Sequence, residues 1–188
     1  MAKKIDMSLQ ELLVLKLQAL YDVEIELTKA LPKMAHKADD EDLRAGFEEH
    51  FAETEGHVAR LEECFQIMDE KASKTKVEAI RGMVADTEWV MKNVSGPEAL
   101  DATLIASAQY VENYEIAGYA TASAWADLLG LQDIAELLTA TLEEERATSE
   151  KLTELATAKI NELAIADEED IKEASGELTR VSADTEDE

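Results

Sequence analysis

The chain has 188 residues, 46% of them hydrophobic, enough for one domain with a sizeable core. Its 43 acidic residues outnumber 18 basic ones, a formal charge of −25 that repels phosphate backbones and anionic membranes, so nucleic acid and lipid surfaces are excluded as expected partners. Two prolines and seven glycines in a chain rich in Ala, Leu and Glu predict helix throughout and no sheet.

The acidic excess fits a protein from a halophile, because near 1 M salt the Debye length falls to about 3 Å and self-repulsion is screened. Lowering KCl is therefore expected to unfold the chain partially, read as a loss of helical circular dichroism. An unchanged spectrum in dilute buffer contradicts that reading. No apolar run follows Met1 to Lys4, and no segment reaches the roughly 18 apolar residues of a membrane span, so a cytoplasmic location is expected. Cys64, the single cysteine, cannot form an internal disulfide and is read as core packing.

The first predicted helix runs from about Ser8 to Ala35. Ser8 and Glu11 form a capping box, and Leu13, Leu17, Leu20, Leu27, Leu31 and Met34 make one apolar stripe. Pro32 predicts a kink or an early end. The second helix runs from about Asp40 to Glu70, with Leu43, Phe47, Phe51, Val58, Leu61, Phe65 and Met68 as its stripe. A lysine-rich connection, Lys71 to Lys76, leads to a short helix over Val77 to Val90. A third long helix starts at Pro97, a favourable first-turn position, and ends before Gly130; Leu104, Ile105, Ala108, Val111, Tyr119, Ala122 and Trp125 are its expected buried side. The fourth runs from about Gln132 to Leu163. Residues 1–163 thus read as an antiparallel four-helix bundle with a short extra helix in the long crossover, and 164–188, with ten acids and two bases, as an acidic tail.

Charges interrupt the apolar stripes. Glu24 sits between Leu20 and Leu27; Glu145 lies seven residues from both Leu138 and Leu152; Glu115 lies four from both Val111 and Tyr119, with Glu112 one turn earlier. A buried carboxylate needs a partner, no Lys or Arg shares these stripes, and a metal cation is the economical one. Register supports this. Glu24 lies 15 residues before the turn at 38–39 and Glu53 about 14 after it; Glu115 and Glu145 each lie 15 from Gly130. Each pair therefore meets about 22 Å from its turn, at roughly 1.5 Å rise per residue. All four carboxylates meet if the two hairpins pack with their turns at the same end. The separations within the pairs, 29 and 30 residues, also point to an internal repeat of hairpins.

Glu53 lies on the flank of its stripe beside His50, Phe51 and His57. His57, one turn beyond, is placed to add a nitrogen ligand; His50 lies one turn before. His36 is distant from the layer. Glu144 points about 100° from Glu145, toward solvent. Tyr21, Tyr110, Tyr114 and Tyr119 fall near the layer, as hydrogen-bond partners of ligands or as packing. The expected metal set is Glu24, Glu53, His57, Glu112, Glu115 and Glu145, with Glu24 and Glu145 terminal, Glu53 and Glu115 bridging, and Glu112 and His57 completing the shell. Such oxygen-rich ligation suits iron, two ions per chain, or manganese, rather than a thiolate zinc site.

From about Ser8 to Ala164 the sequence resembles the YciE/YciF stress proteins, a ferritin-like family. The blocks that carry the resemblance are Leu20-Tyr21-Asp22-Val23-Glu24, Ala30-Leu31-Pro32-Lys33-Met34, His50 to Thr54, Asp101-Ala102, Ala108 through Ala117, and Thr141-Leu142-Glu143-Glu144-Glu145. The resemblance implies a homodimeric bundle, a dinuclear metal site and a role in stress. Glu112 and Glu115 are also similar to the Glu-x-x-Glu pair of rubrerythrin-type sites, whereas Thr148 stands where such sites carry a histidine. The expected function is redox chemistry on peroxide or oxygen at a di-iron or dimanganese centre. The alternatives are a non-enzymatic dimeric stress protein with a vestigial site, and mineral storage, which needs a closed shell.

Overall fold

A computed structural model describes residues 6–165, so all but the first two residues of the expected 164–188 tail lie outside the described residues. The helices are α1 (Leu9–Lys37), α2 (Glu41–Ile67), α3 (Glu78–Asn93), α4 (Pro97–Leu128) and α5 (Gln132–Leu155). A π-helical turn, Ala156–Ile160, interrupts the predicted end of the last long helix before α6 (Asn161–Leu163). Among the described residues none is in a strand, and no helix is long and apolar enough to cross a membrane.

Local chemistry sets the boundaries. Ser8 and Glu11 form the capping box that starts α1, and the Asp40 side chain accepts from the Asp42 and Leu43 amides to start α2. Pro32 does not end α1, contrary to expectation. It faces solvent, while Leu31, Met34 and Ala35 beside it are buried, so packing holds the last turn to Lys37. Gly130, at φ 72°, makes the left-handed turn into α5. Gly118 lets α4 approach α1 closely, since a Cβ there would lie 2.8 Å from Leu20 Cδ2.

The four long helices form an antiparallel bundle, with α1 against α2 and α4, and α5 against α4 and α2. The two hairpin turns lie at opposite ends. Asp101, just past the first turn of α4, accepts from the Asp39 and Asp40 amides at 3.0 and 2.8 Å, and Lys159, beyond α5, pairs with Asp40 at 2.6 Å. Both ends therefore sit at the α1–α2 turn, whereas Leu129 and Leu131 pack with Leu13 and Phe65 at the far end. Glu24, Glu115 and Glu145 still share one level, because each lies near the middle of its long helix.

The crossover helix α3 lies against α1 and α4. Buried Asp22 pins it, accepting from the Val77 amide at 2.9 Å and from Arg81 Nη1 and Nη2 at 2.6 and 3.1 Å. The Arg81 hydrogen bonds hold the Asp22 carboxyl below its usual range, and burial opposes them. A lowered folded-state pKa means stabilisation that is present above the unfolded value, about 3.9, and lost as pH falls through the folded one. Asp22→Ala is expected to cost about 2 kcal/mol at neutral pH. Thermal melts of both proteins should converge below about pH 4, and a pH-independent gap contradicts the assignment.

Candidate metal centre

The bundle core is two apolar clusters separated by a polar layer. Leu27, Leu31, Phe47, Leu104 and Ile105 belong to the cluster nearer the α1–α2 turn; Leu13, Leu17, Leu61, Phe65 and Ile134 belong to the other. Between them lie Glu24 from α1, His50, Thr54 and His57 from α2, Glu112 and Glu115 from α4, and Thr141 and Glu145 from α5, all buried.

Helix α2 buries Leu43, Phe47, His50, Thr54, His57, Leu61 and Cys64, a seam with spacings alternating between four and three. Phe51 and Val58, expected in the stripe, are half-buried beside it. This rotation turns both His50 and His57 inward and carries Glu53 to the edge. Glu53 is 30% exposed, 3.6 Å from His50 Nδ1, and accepts from Thr148 Oγ1 at 3.4 Å.

Two sets of side chains converge. His50, Glu112, Glu115 and Glu145 present ligand atoms all within 4.8 Å of one another, and so do Glu24, His57 and Glu145. Glu145 belongs to both sets, and Glu53 to neither. Among the described residues, nine buried side-chain atoms have no hydrogen-bond partner, and all nine belong to these six residues. Glu115 contributes both its oxygens, as does Glu145. His50 Nε2 lies 3.1 Å from Glu112 Oε1, and His57 Nδ1 lies 3.0 Å from Glu145 Oε1 and 3.6 Å from Glu24 Oε1. None of these contacts is a hydrogen bond. Donors that crowd a common space without satisfying one another suit a cation between them.

The donor set fits two divalent ions. Four ionised carboxylates carry −4, which two such ions neutralise, and the imidazoles add neutral nitrogen. Oxygen-rich ligation of this kind suits iron or manganese. Cys64 takes no part: it is buried in the far apolar cluster, and burial pushes its thiol up to about 12.

Neighbours orient the ligands. His57 Nε2 lies 2.9 Å from Glu144 Oε2, and Arg60 holds Glu144 through both guanidinium nitrogens, Nη2 donating at 2.8 Å. With Nε2–H directed at Glu144, Nδ1 is left to face the layer. Glu144, 35% exposed, is only partly turned to solvent as its angle on α5 indicates; Arg60 and His57 of α2 reach across to it. Of the four tyrosines only Tyr119 touches the layer, donating its hydroxyl to Glu24 Oε1. Tyr21 instead donates to Glu62 at 2.7 Å, Tyr110 is 69% exposed, and Tyr114 packs on the apolar cluster near the α1–α2 turn.

Proton affinities in the metal-free layer are strongly displaced. Burial, then the charges of Glu145, Glu24 and Glu112, push Glu115 well above the usual carboxylate range. Burial likewise raises Glu24 and Glu145. For the histidines burial favours the neutral ring, but carboxylates outweigh it: Glu145 and Glu24 raise His57 to about 10, and Glu112 and Glu53 hold His50 well above its ordinary value.

An antiparallel four-helix bundle with a long crossover and a mid-bundle layer of Glu and His defines the ferritin-like class. Residues 8–165 match the family model described as Domain of unknown function (DUF892), and the chain belongs to that family. It is 37% identical to protein YciF of Escherichia coli K12 over 158 residues, 84% of this chain and 95% of that protein. The crystal structure of the E. coli stress protein YciF superposes with a TM-score of 0.79 at 36% identity, covering 83% of this chain and 99% of that one. YcfI of Rhodopseudomonas palustris matches with a TM-score of 0.78 at 37% identity, over 81% and 98%. A Xanthomonas campestris protein at 22% identity and TM-score 0.64, over 80% and 92%, shares the fold.

Proposed function

We propose that this chain is a ferritin-like redox protein that holds two iron ions, or two manganese ions, in its core and acts on peroxide or oxygen during stress. The observation that carries the reading is the set of nine unpartnered buried atoms, drawn from all four long helices onto one layer. His50, Glu112, Glu115 and Glu145 would hold one ion, and Glu24, His57 and Glu145 the other. Glu145, common to both sets, would take the shared position in place of Glu53. When bound, a pair of reduced ions supplies two electrons to an oxidant. The chain's own residues set the conditions: Tyr119 and Glu144 fix Glu24 and His57, the two apolar clusters bound the layer on either side, and Glu53 stands where the layer meets the surface. YciF of E. coli is a stress protein, which supports the physiological setting. A homodimer belongs to the same reading, with sedimentation at twice the 20.8 kDa chain mass as its check.

The redox assignment is tested by peroxide oxidation of added Fe²⁺. Wild type should accelerate it, and Glu24→Ala should lose at least about tenfold of that acceleration. Equal rates in both proteins remove the redox assignment. The Arg60–Glu144–His57 network favours one alternative, a non-enzymatic structural protein in which protonated histidines and carboxyls satisfy the layer without metal.

A further inference from the structure

A cleft of about 740 Å³ opens between α2 and α5 and runs from the surface to the polar layer. Leu43, Phe47, Ala108, Leu152 and Leu155 give it apolar walls. At its inner end stand His50 and Glu112, 4% and 1% exposed. The cleft is much larger than hydrogen peroxide or oxygen requires, since a water-sized molecule occupies about 30 Å³. It falls instead in the range of sites for organic ligands, roughly 300–1,000 Å³.

Two further features bear on its use. Gly46 sits in the second turn of α2 on the cleft wall, where glycine costs about 1 kcal/mol relative to alanine. A Cβ there would meet nothing within 4 Å, so packing against the protein does not require the glycine. The rim carries Asp42, Glu49, Glu53 and Glu154 against Lys151, whose ammonium is already paired with Glu49 at 2.9 Å. An anionic ligand would be repelled there.

We infer that this cleft binds a neutral organic molecule with an apolar body and an oxygen-bearing head, of the organic hydroperoxide or alcohol class, with its head at His50 and Glu112. Its role as a substrate site rests on the proposed metal centre; its occupancy does not, and is measurable on the metal-free protein. The apolar walls take the body, the edge formed by His50 and Glu112 meets the head, and the acidic rim selects against carboxylates.

The test is calorimetric titration of the metal-free protein with cumyl alcohol and with phenylacetate, alongside Gly46→Ala and Gly46→Phe. Wild type should bind cumyl alcohol saturably and more tightly than phenylacetate. Gly46→Ala should keep that affinity, and Gly46→Phe, which fills open space, should lose at least about tenfold while keeping its helical circular dichroism. Absence of saturable binding, or equal affinity in Gly46→Phe, overturns the assignment. So does dissociation of a dimer by Gly46→Phe without alcohol binding, which makes the cleft an interface between copies. Loading a parallel portion of each preparation with Fe²⁺ or Mn²⁺ separates the two readings: metal uptake without alcohol binding removes the cleft assignment alone, and alcohol binding without metal uptake removes the metal centre alone.

Discussion

Glu115→Leu should stabilise the metal-free protein and abolish stabilisation by metal. Glu115 is fully buried, neither oxygen has a partner, and the charges nearest it are Glu145, Glu24 and Glu112. Leucine fills similar volume and removes both the desolvation cost and the repulsion. Replacing buried charge by well-packed apolar side chains commonly gains about 1–4 kcal/mol. At roughly 2–4 °C per kcal/mol for a chain of this size, the metal-free melting temperature should rise by about 5 °C. In the wild type, metal at a thousand times its dissociation constant adds about 4 kcal/mol, or roughly 10 °C. The order of stabilities therefore inverts on adding metal. A Glu115→Leu protein that melts below wild type without metal contradicts the view that Glu115 is retained for ligation at the expense of stability.

The second large effect separates shared from single ligands. Glu145 belongs to both convergent sets, whereas Glu24 belongs only to the set with His57. Glu145→Ala should therefore take metal content from two ions per chain to near zero. Glu24→Ala should leave about one, held by His50, Glu112, Glu115 and Glu145. Elemental analysis after anaerobic loading and desalting reads both. Equal losses in the two variants contradict the shared role of Glu145.

Much of this architecture is readable from the sequence, for physical reasons that differ by residue. Glu24, Glu115 and Glu145 betray themselves because each occupies a leucine position in an otherwise unbroken stripe. The capping box at Ser8, Pro97 in a first turn and Gly130 after α4 mark helix ends by local chemistry alone. Helix α2 is harder. Its true seam passes through His50, Thr54 and His57, and the polar residues at its centre hide it, while Phe51 and Val58 beside it draw the apparent stripe toward Glu53. The alternating spacing from Leu43 to Cys64 is the signal that places His50 inside. Glu144 and Tyr119 depend on neighbouring helices: the angle of Glu144 on α5 says nothing of Arg60, and the place of Tyr119 on the buried stripe of α4 says nothing of its bond to Glu24 on α1. The relative ends of the two hairpins turn on the crossover, whose length permits either arrangement until Asp22, Val77 and Arg81 tie it along the bundle.

The most direct test of the central claim is the metal content of the wild-type protein. The chain is loaded anaerobically with Fe²⁺, and in parallel with Mn²⁺, freed of excess ion and measured by elemental analysis. Two ions per chain, matching the two convergent sets, is the predicted result for at least one of the metals. A value near zero for both contradicts the metal centre and leaves the layer to be explained by its protons alone.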